Sequence, residues 1–208
     1  FGRDAVPPLL RATAEGDVLF QSQAPAIAID GVAVPLPPGA FLQASAEAEA
    51  AMAGLAREAA AGARRIADLF CGFGTFALPL ARIAPVHAVD ADPALVGALA
   101  AAAAGAGRRP VTGERRDRMA FPLSATELSR FDTVLFDPPR AGAAAQAAEI
   151  GRATVSTVVA VSCNPATLAR DLSTFVASGF KITHVTAVDQ FVWSVHIEAV
   201  AILRRDRP

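Results

Sequence analysis

The sequence is poor in cysteine, in lysine and in net charge, and each scarcity removes a class of protein. Cysteine occurs twice, as Cys71 and Cys163. Two are too few for a metal cluster or a disulfide framework, and that usage suits a reducing cytoplasm. The formal net charge is −1, so no global basic field marks a non-specific coater of nucleic acid. Lys181 is the single lysine. The remaining positive charge is arginine, the better phosphate fork, which leaves a local basic groove open. No apolar run reaches membrane-spanning length and no signal peptide opens the chain, so no membrane partner is expected. The chain starts Phe1-Gly2 without methionine and is expected to be a fragment whose upstream part has been removed.

What is present suits a folded enzyme-sized unit. The 208 residues are 53% hydrophobic and 19% charged, enough for one α/β domain with a full core and a short extra piece. Residues 1–40 read as a small β appendage, the remnant of an upstream or central domain plus a linker. Asp17-Val18-Leu19-Phe20 and Ala26-Ile27-Ala28-Ile29 are strand-like, Asp30-Gly31 is a hairpin signal before Val32-Ala33-Val34, and Pro35, Pro37, Pro38 and Gly39 close the segment. Residues 41–208 read as the main domain. Ser45 caps a helix running to about Ala61, with Glu47 and Glu49 in its first turns.

From Arg65 onward strands and helices alternate. Strands are predicted at Ile66–Phe70, Val86–Asp90, Pro110–Thr112, Phe131–Phe136 and the stretch ending at Cys163. Helices are predicted at Phe76–Ala84, Pro93–Ala104, Ala143–Ala153 and Ala166–Ser178. Two last strands, Phe180–Val188 and Val195–Leu203, have little between them and should pair antiparallel. The alternation predicts a doubly wound, mostly parallel Rossmann-like sheet with right-handed crossovers and an antiparallel last strand.

Three places look chemical. In Val159-Ala160-Val161-Ser162-Cys163-Asn164-Pro165 an uncharged strand stops at a proline suited to the first turn of a helix. Cys163 therefore sits at the edge where open α/β sheets bind ligands, near backbone N–H groups and a positive helix end that favour thiolate. The alternative is a small apolar filler. Second, Asp68 precedes a tight turn, Cys71-Gly72-Phe73-Gly74-Thr75, and Asp90 ends the next strand. Glycines there let backbone approach a ligand, and the acid suits ribose hydroxyls. The dinucleotide pattern lacks its third glycine, and an acid beside the loop repels phosphate. An adenosyl ligand with a cationic sulfonium and an amino-acid tail tolerates it. The alternative is a tight turn with surface acids. To this second place also belongs Asp137-Pro138-Pro139-Arg140, which ends the fourth strand and forms a stiff loop beside the same edge. Its carboxylate suits a substrate amide N–H, and Arg140 suits a phosphate or a solvated turn. Third, Glu198 lies in an apolar strand with His196 on its face. A carboxylate there is either a paired structural acid or a working base.

These pieces resemble the RNA (uracil-5-)-methyltransferase family, a branch of the class I S-adenosylmethionine-dependent methyltransferases, from about Phe41 to Arg204. The most specific stretches are Asp68-Leu69-Phe70-Cys71-Gly72-Phe73-Gly74, Asp137-Pro138-Pro139-Arg140-Ala141-Gly142 and Ser162-Cys163-Asn164-Pro165-Ala166-Thr167-Leu168-Ala169-Arg170-Asp171. The resemblance implies Cys163 as nucleophile and Glu198 as base. It implies that Gln43, Phe70, Thr75, Asp90, Asp117 and Asp137, with Gly72 and Gly74, line the cofactor and uracil pocket, and that Asp137 and Arg140 meet the substrate. It further implies S-adenosylmethionine as cofactor, an rRNA or tRNA partner and, with no metal, a cytoplasmic protein expected to be a monomer. The chain departs from the family's usual pattern at Ser45, Thr75, Asp90 and Asp117. It also lacks the nucleic-acid-binding β-barrel of many members and the cysteine cluster of some. The competing readings are an amino-group methyltransferase, an idle RNA- or partner-binding module and, weakest, an oxidoreductase.

Overall fold

A computed structural model describes residues 11–14, 17–21, 25–117, 119–191, 193–194 and 196–206. Two small hairpins come first: β1 (Arg11–Ala14) with β2 (Asp17–Gln21), and β3 (Ala26–Ile29) with β4 (Val32–Pro35). The predicted Asp30-Gly31 turn is where β3 reverses, with both residues at positive φ. Ile29 and Val34 are buried in the main core, so the second hairpin packs down onto the domain that follows.

That domain contains a seven-stranded sheet. Its strands are β5 (Ile66–Leu69), β6 (Val86–Asp90), β7 (Val111–Arg115), β8 (Thr133–Phe136), β9 (Thr157–Ser162), β10 (Lys181–Val188) and β11 (Glu198–Arg204), in the order β10-β11-β9-β8-β5-β6-β7. Every pairing is parallel except those of β11, which runs antiparallel to both neighbours. The predicted doubly wound sheet with a reversed last strand is therefore observed. β5, β8 and β9 are buried along their whole length, as expected for parallel strands covered on both faces.

The helices are α1 (Ala46–Ala59), α2 (Ala77–Leu80), α3 (Pro93–Ala104), α4 (Ala125–Leu128), α5 (Ala144–Arg152) and α6 (Pro165–Ala177). One face of the sheet packs on α1, α2 and α3 through Met52, Leu78 and Leu99, the other on α5 and α6 through Ile150 and Phe175. Neighbouring residues of β8 divide accordingly, Leu135 to the first core and Val134 and Phe136 to the second.

Caps set where the helices begin. The Ser45 hydroxyl accepts from Ala48 N–H at 3.1 Å, Asp92 from Ala94 N–H at 2.7 Å ahead of Pro93, and Asn164 from Ala166 N–H at 3.1 Å ahead of Pro165. Three expectations change. α2 is four residues long rather than nine, because the chain tightens beyond Leu80: Arg82 N–H donates to Pro79 O and Ile83 N–H to Leu80 O, three residues back rather than four. α4, closed by a Ser124–Glu127 capping box, was not predicted. Nine residues separate β10 from β11, and His196 and Ile197 lie in that connection rather than in the strand, so His196 is exposed and shares no strand face with Glu198. Val195 lies outside the described residues.

Candidate active site

The order of the strands reverses direction at β5, with β6 on one side and β8 on the other, and a crevice opens there beyond the carboxyl ends of the strands. It is a cavity of about 620 Å³. The turn after β5 supplies Phe70, Gly72 and Thr75, β6 ends in Asp90, and the loop after β7 supplies Asp117. The loop after β8 supplies Asp137 and Arg140, Cys163 follows β9, and Gln43 comes from the segment ahead of α1. Glu198 opens β11. Because β11 is antiparallel, its first residue lies at the edge where the parallel strands end. Ala199 pairs with Ser162, so Glu198 and Cys163 are one step further along neighbouring strands, and both line the cavity. Phe41 and Met119 also reach it, and Phe41 is 72% exposed.

The turn after β5 is shaped by backbone. Phe70 adopts φ +67°, a conformation rare outside glycine, and Gly72 φ +54°. Gly72 N–H donates to Asp90 Oδ2 at 2.9 Å, and Asp92 N–H donates to Asp90 Oδ1 at 3.1 Å. Asp90 is thus held in place at the cavity it lines. Gly74 does not line the cavity. A Cβ on it would lie 2.5 Å from Leu99 Cδ1, so this glycine serves the close packing of the turn against α3, not ligand approach. Asp68 is likewise buried inside β5 and does not reach the cavity.

The Asp137–Arg140 loop is tied to α6 by residues whose role the sequence did not reveal. Asn164 uses both ends of its amide: the oxygen caps α6, and the Nδ2 donates to Arg140 O at 3.2 Å. Thr167 Oγ1 donates to the same carbonyl at 3.2 Å, and Arg170 to Ala141 O at 3.2 Å. Ala143 N–H donates to Asp171 Oδ2 at 3.2 Å, and Arg170 Nε pairs with Asp171 Oδ1 at 3.0 Å. The two sequence stretches around Asp137 and Cys163 are therefore one clamp. Polar residues three and four apart along the start of α6, Asn164, Thr167, Arg170 and Asp171, following a loop of prolines, were the available signal.

Burial and like charge set the protonation states. Asp137 is pushed up to about 7 by burial and by the neighbouring Glu198 carboxylate. Burial raises Glu198 too, with the Gln190 amide acting the other way, and Glu198 is 4% exposed. The Cys163 thiol is pushed up, first by burial and then by Glu198, while Arg140 draws it down. This reverses the expectation of a thiolate favoured by the helix end: burial, and then the Glu198 carboxylate, outweigh it. Such an arrangement, a thiol and two raised carboxylates in one crevice, suits covalent addition and proton transfer.

The sheet and its crevice define the class: the chain has the Rossmann-like methyltransferase fold. The comparisons bear out the resemblance to the RNA (uracil-5-)-methyltransferases: residues 114–206 match the family model of tRNA (Uracil-5-)-methyltransferase. An uncharacterized RNA methyltransferase of Rhizobium meliloti is 52% identical over 198 residues, 95% of this chain and 48% of the relative. A 23S rRNA (uracil(1939)-C(5))-methyltransferase of Chromohalobacter salexigens is 37% identical over 174 residues, 82% of this chain and 36% of the relative. Among solved structures, the Pyrococcus abyssi tRNA (uracil-54, C5)-methyltransferase in complex with S-adenosyl-L-homocysteine superposes with a TM-score of 0.77 at 25% identity, covering 92% of this chain and 47% of that one. The chain spans about half the length of curated relatives it matches, 48–49% of each of three of them.

Proposed function

We propose that the chain carries the catalytic unit, residues 41–208, of an enzyme that methylates C5 of a uridine in rRNA or tRNA, using S-adenosylmethionine and a covalent bond between Cys163 and C6. The second hairpin, whose Ile29 and Val34 enter the main core, packs with this unit. One observation carries the reading: the Cys163 thiol and the Glu198 carboxylate line one cavity from neighbouring strand ends. Relatives named for both RNA classes support the substrate.

The residues fit the cofactor. Asp90, Asp117, Asp137 and Glu198 line the cavity with Arg140 as their counter-charge, a net negative setting for a cationic donor. Asp90, held at the end of β6, suits the ribose hydroxyls. The volume is in the range of sites that hold a drug-sized ligand.

Uracil C5 is a poor nucleophile. The Cys163 thiolate adds to C6, the 5,6 double bond opens, and the electron pair spreads over C5 and the C4 carbonyl oxygen. With its value near 7, Asp137 is about half protonated at neutral pH, so it offers a donor to a uracil carbonyl and stabilises that charge. When bound, S-adenosylmethionine supplies an electrophilic methyl group on a positively charged sulfur and leaves as the neutral thioether. Glu198 then takes the C5 proton, the electron pair reforms the 5,6 double bond, and the C6–S bond breaks to return the Cys163 thiolate. Covalent catalysis divides one difficult substitution into an addition and an elimination. The C5–C6 edge of a helical uridine is stacked, so the base must be unpaired or turned out.

Cys163→Ala is expected to abolish methyl incorporation into RNA while S-adenosylmethionine binding, read by calorimetry, stays unchanged. Wild-type turnover in that variant overturns the thiol mechanism and favours an amino-group methyltransferase of the same fold.

A further inference from the structure

The connection between β10 and β11 contributes a side chain that the proposed chemistry does not use. Gln190 is 7% exposed although it lies in a loop, where polar side chains ordinarily face water. Ala44 N–H donates to its Oε1 at 3.0 Å. A backbone N–H only donates, so this bond fixes which end of the amide is oxygen. The opposite end, Nε2, donates to Gln43 Oε1 at 2.9 Å and to Glu198 Oε1 at 3.3 Å. One buried amide thus links the segment ahead of α1 to the first residue of β11.

We propose that Gln190 is a positioning residue, a single amide that sets the orientation of both Glu198 and Gln43 toward the ligand. The proposal rests on reading Glu198 as the base. With its oxygen occupied by Gln190, Gln43 has its NH2 to offer in the cavity it lines, a donor for a ligand carbonyl or carboxylate. With Oε1 held, Glu198 keeps Oε2 for the proton.

The surroundings of Glu198 explain why a neutral donor is needed there. Asp137 after β8 and Cys163 after β9 line the same cavity, and Arg140 is the counter-charge. The Asp137 carboxylate and a Cys163 thiolate both oppose ionisation of Glu198, and burial opposes it too. Gln190 favours the ionised form that accepts a proton. A cation in its place would also favour it, but would repel the donor's positively charged sulfonium in the same cavity.

The test uses Gln190→Met, which keeps length and removes the donor, and Gln190→Glu, which keeps shape and replaces the donor with a carboxylate. The first readout is the carbon-13 NMR titration of the Glu198 carboxylate in the full chain without substrate. It is expected to move to higher pH in Gln190→Met and further in Gln190→Glu. The second is methylation of unmodified 23S rRNA transcript. We expect kcat at neutral pH to fall about tenfold in Gln190→Met, the loss of one hydrogen bond to a charged group, and to recover as pH rises. A lowered Tm with an unmoved Glu198 titration and an unmoved pH profile means a merely structural amide and overturns the proposal. If the titration moves but the wild-type chain methylates no uridine, the assignment of the reaction fails while the Gln190–Glu198 coupling stands.

Discussion

Gly142→Ala probes the clamp that holds the Asp137–Arg140 loop against α6. Gly142 has φ +70°, and an L side chain there costs about 1–2 kcal/mol. A Cβ would also lie 2.7 Å from Asp171 Oδ2 and 3.2 Å from Thr167 Cβ, as well as against the end of the Arg170 side chain. Arg170 is half exposed and can swing away. Asp171 cannot: it is 1% exposed and bonded to Ala143 N–H at 3.2 Å. The displacement therefore falls on the loop, and overpacking of this kind adds about 1–3 kcal/mol. The sum, about 2–5 kcal/mol, corresponds to a Tm loss of about 4–20 °C for a domain of this size. Gly107→Ala is the control, since Gly107 has φ +61° with nothing within 4 Å of its Cβ position, so it reports the torsional cost alone. Thermal unfolding followed by circular dichroism measures both. A Gly142→Ala Tm equal to that of Gly107→Ala would refute the clamp, because only the crowding against Asp171 and Thr167 distinguishes them.

The other predictions concern charge in the cavity. Asp137 is raised from an ordinary carboxylate value to about 7, so the folded state binds its proton more tightly than the unfolded state does. The sign is that this group's contribution to stability is full below pH 4 and is lost as pH rises to about 7. Asp137→Asn should therefore raise Tm at pH 8 and leave it nearly unchanged at pH 4, read by thermal melts across that range. Arg140 draws the thiol down, so Arg140→Ala should slow iodoacetamide alkylation of Cys163 at pH 8, while buried Cys71 stays unreactive in both proteins. Glu198→Gln should leave addition intact and slow proton removal by about 10²–10⁴-fold, so a covalent protein–RNA complex should persist on a denaturing gel. Its absence there removes Glu198 as the base.

Much of the fold was legible because its signals are local. Ile66–Leu69, Thr133–Phe136 and Thr157–Ser162 are uncharged or nearly so, and each became a strand buried on both faces. Ser45, Pro93 and Pro165 marked helix starts through cap chemistry that acts within three residues. The strand ends then brought together the cavity residues the resemblance implied, Gly74 excepted. What the sequence hid depends on partners far along the chain. Gly74 looked like a ligand glycine, and only its approach to Leu99 shows otherwise. Gln190 carries no periodic signal, and its partners Gln43 and Ala44 stand almost 150 positions away. The direction of the Cys163 shift followed first from burial and then from Glu198, whose arrival beside the thiol is a consequence of β11 running antiparallel. α4 was missed because a four-residue helix has too few positions to show a period.

The central claim is a covalent bond between Cys163 and a pyrimidine ring, and RNA carrying 5-fluorouridine measures it directly. Fluorine at C5 leaves no proton for Glu198 to remove after methyl transfer, so elimination stops and the adduct stays. Incubated with S-adenosylmethionine and such an RNA, the chain should yield a denaturation-resistant complex whose digested nucleotide maps by mass spectrometry to the peptide containing Cys163. Methylation of ordinary uridine at C5 with no such adduct, or an adduct on Cys71 instead, would contradict the account.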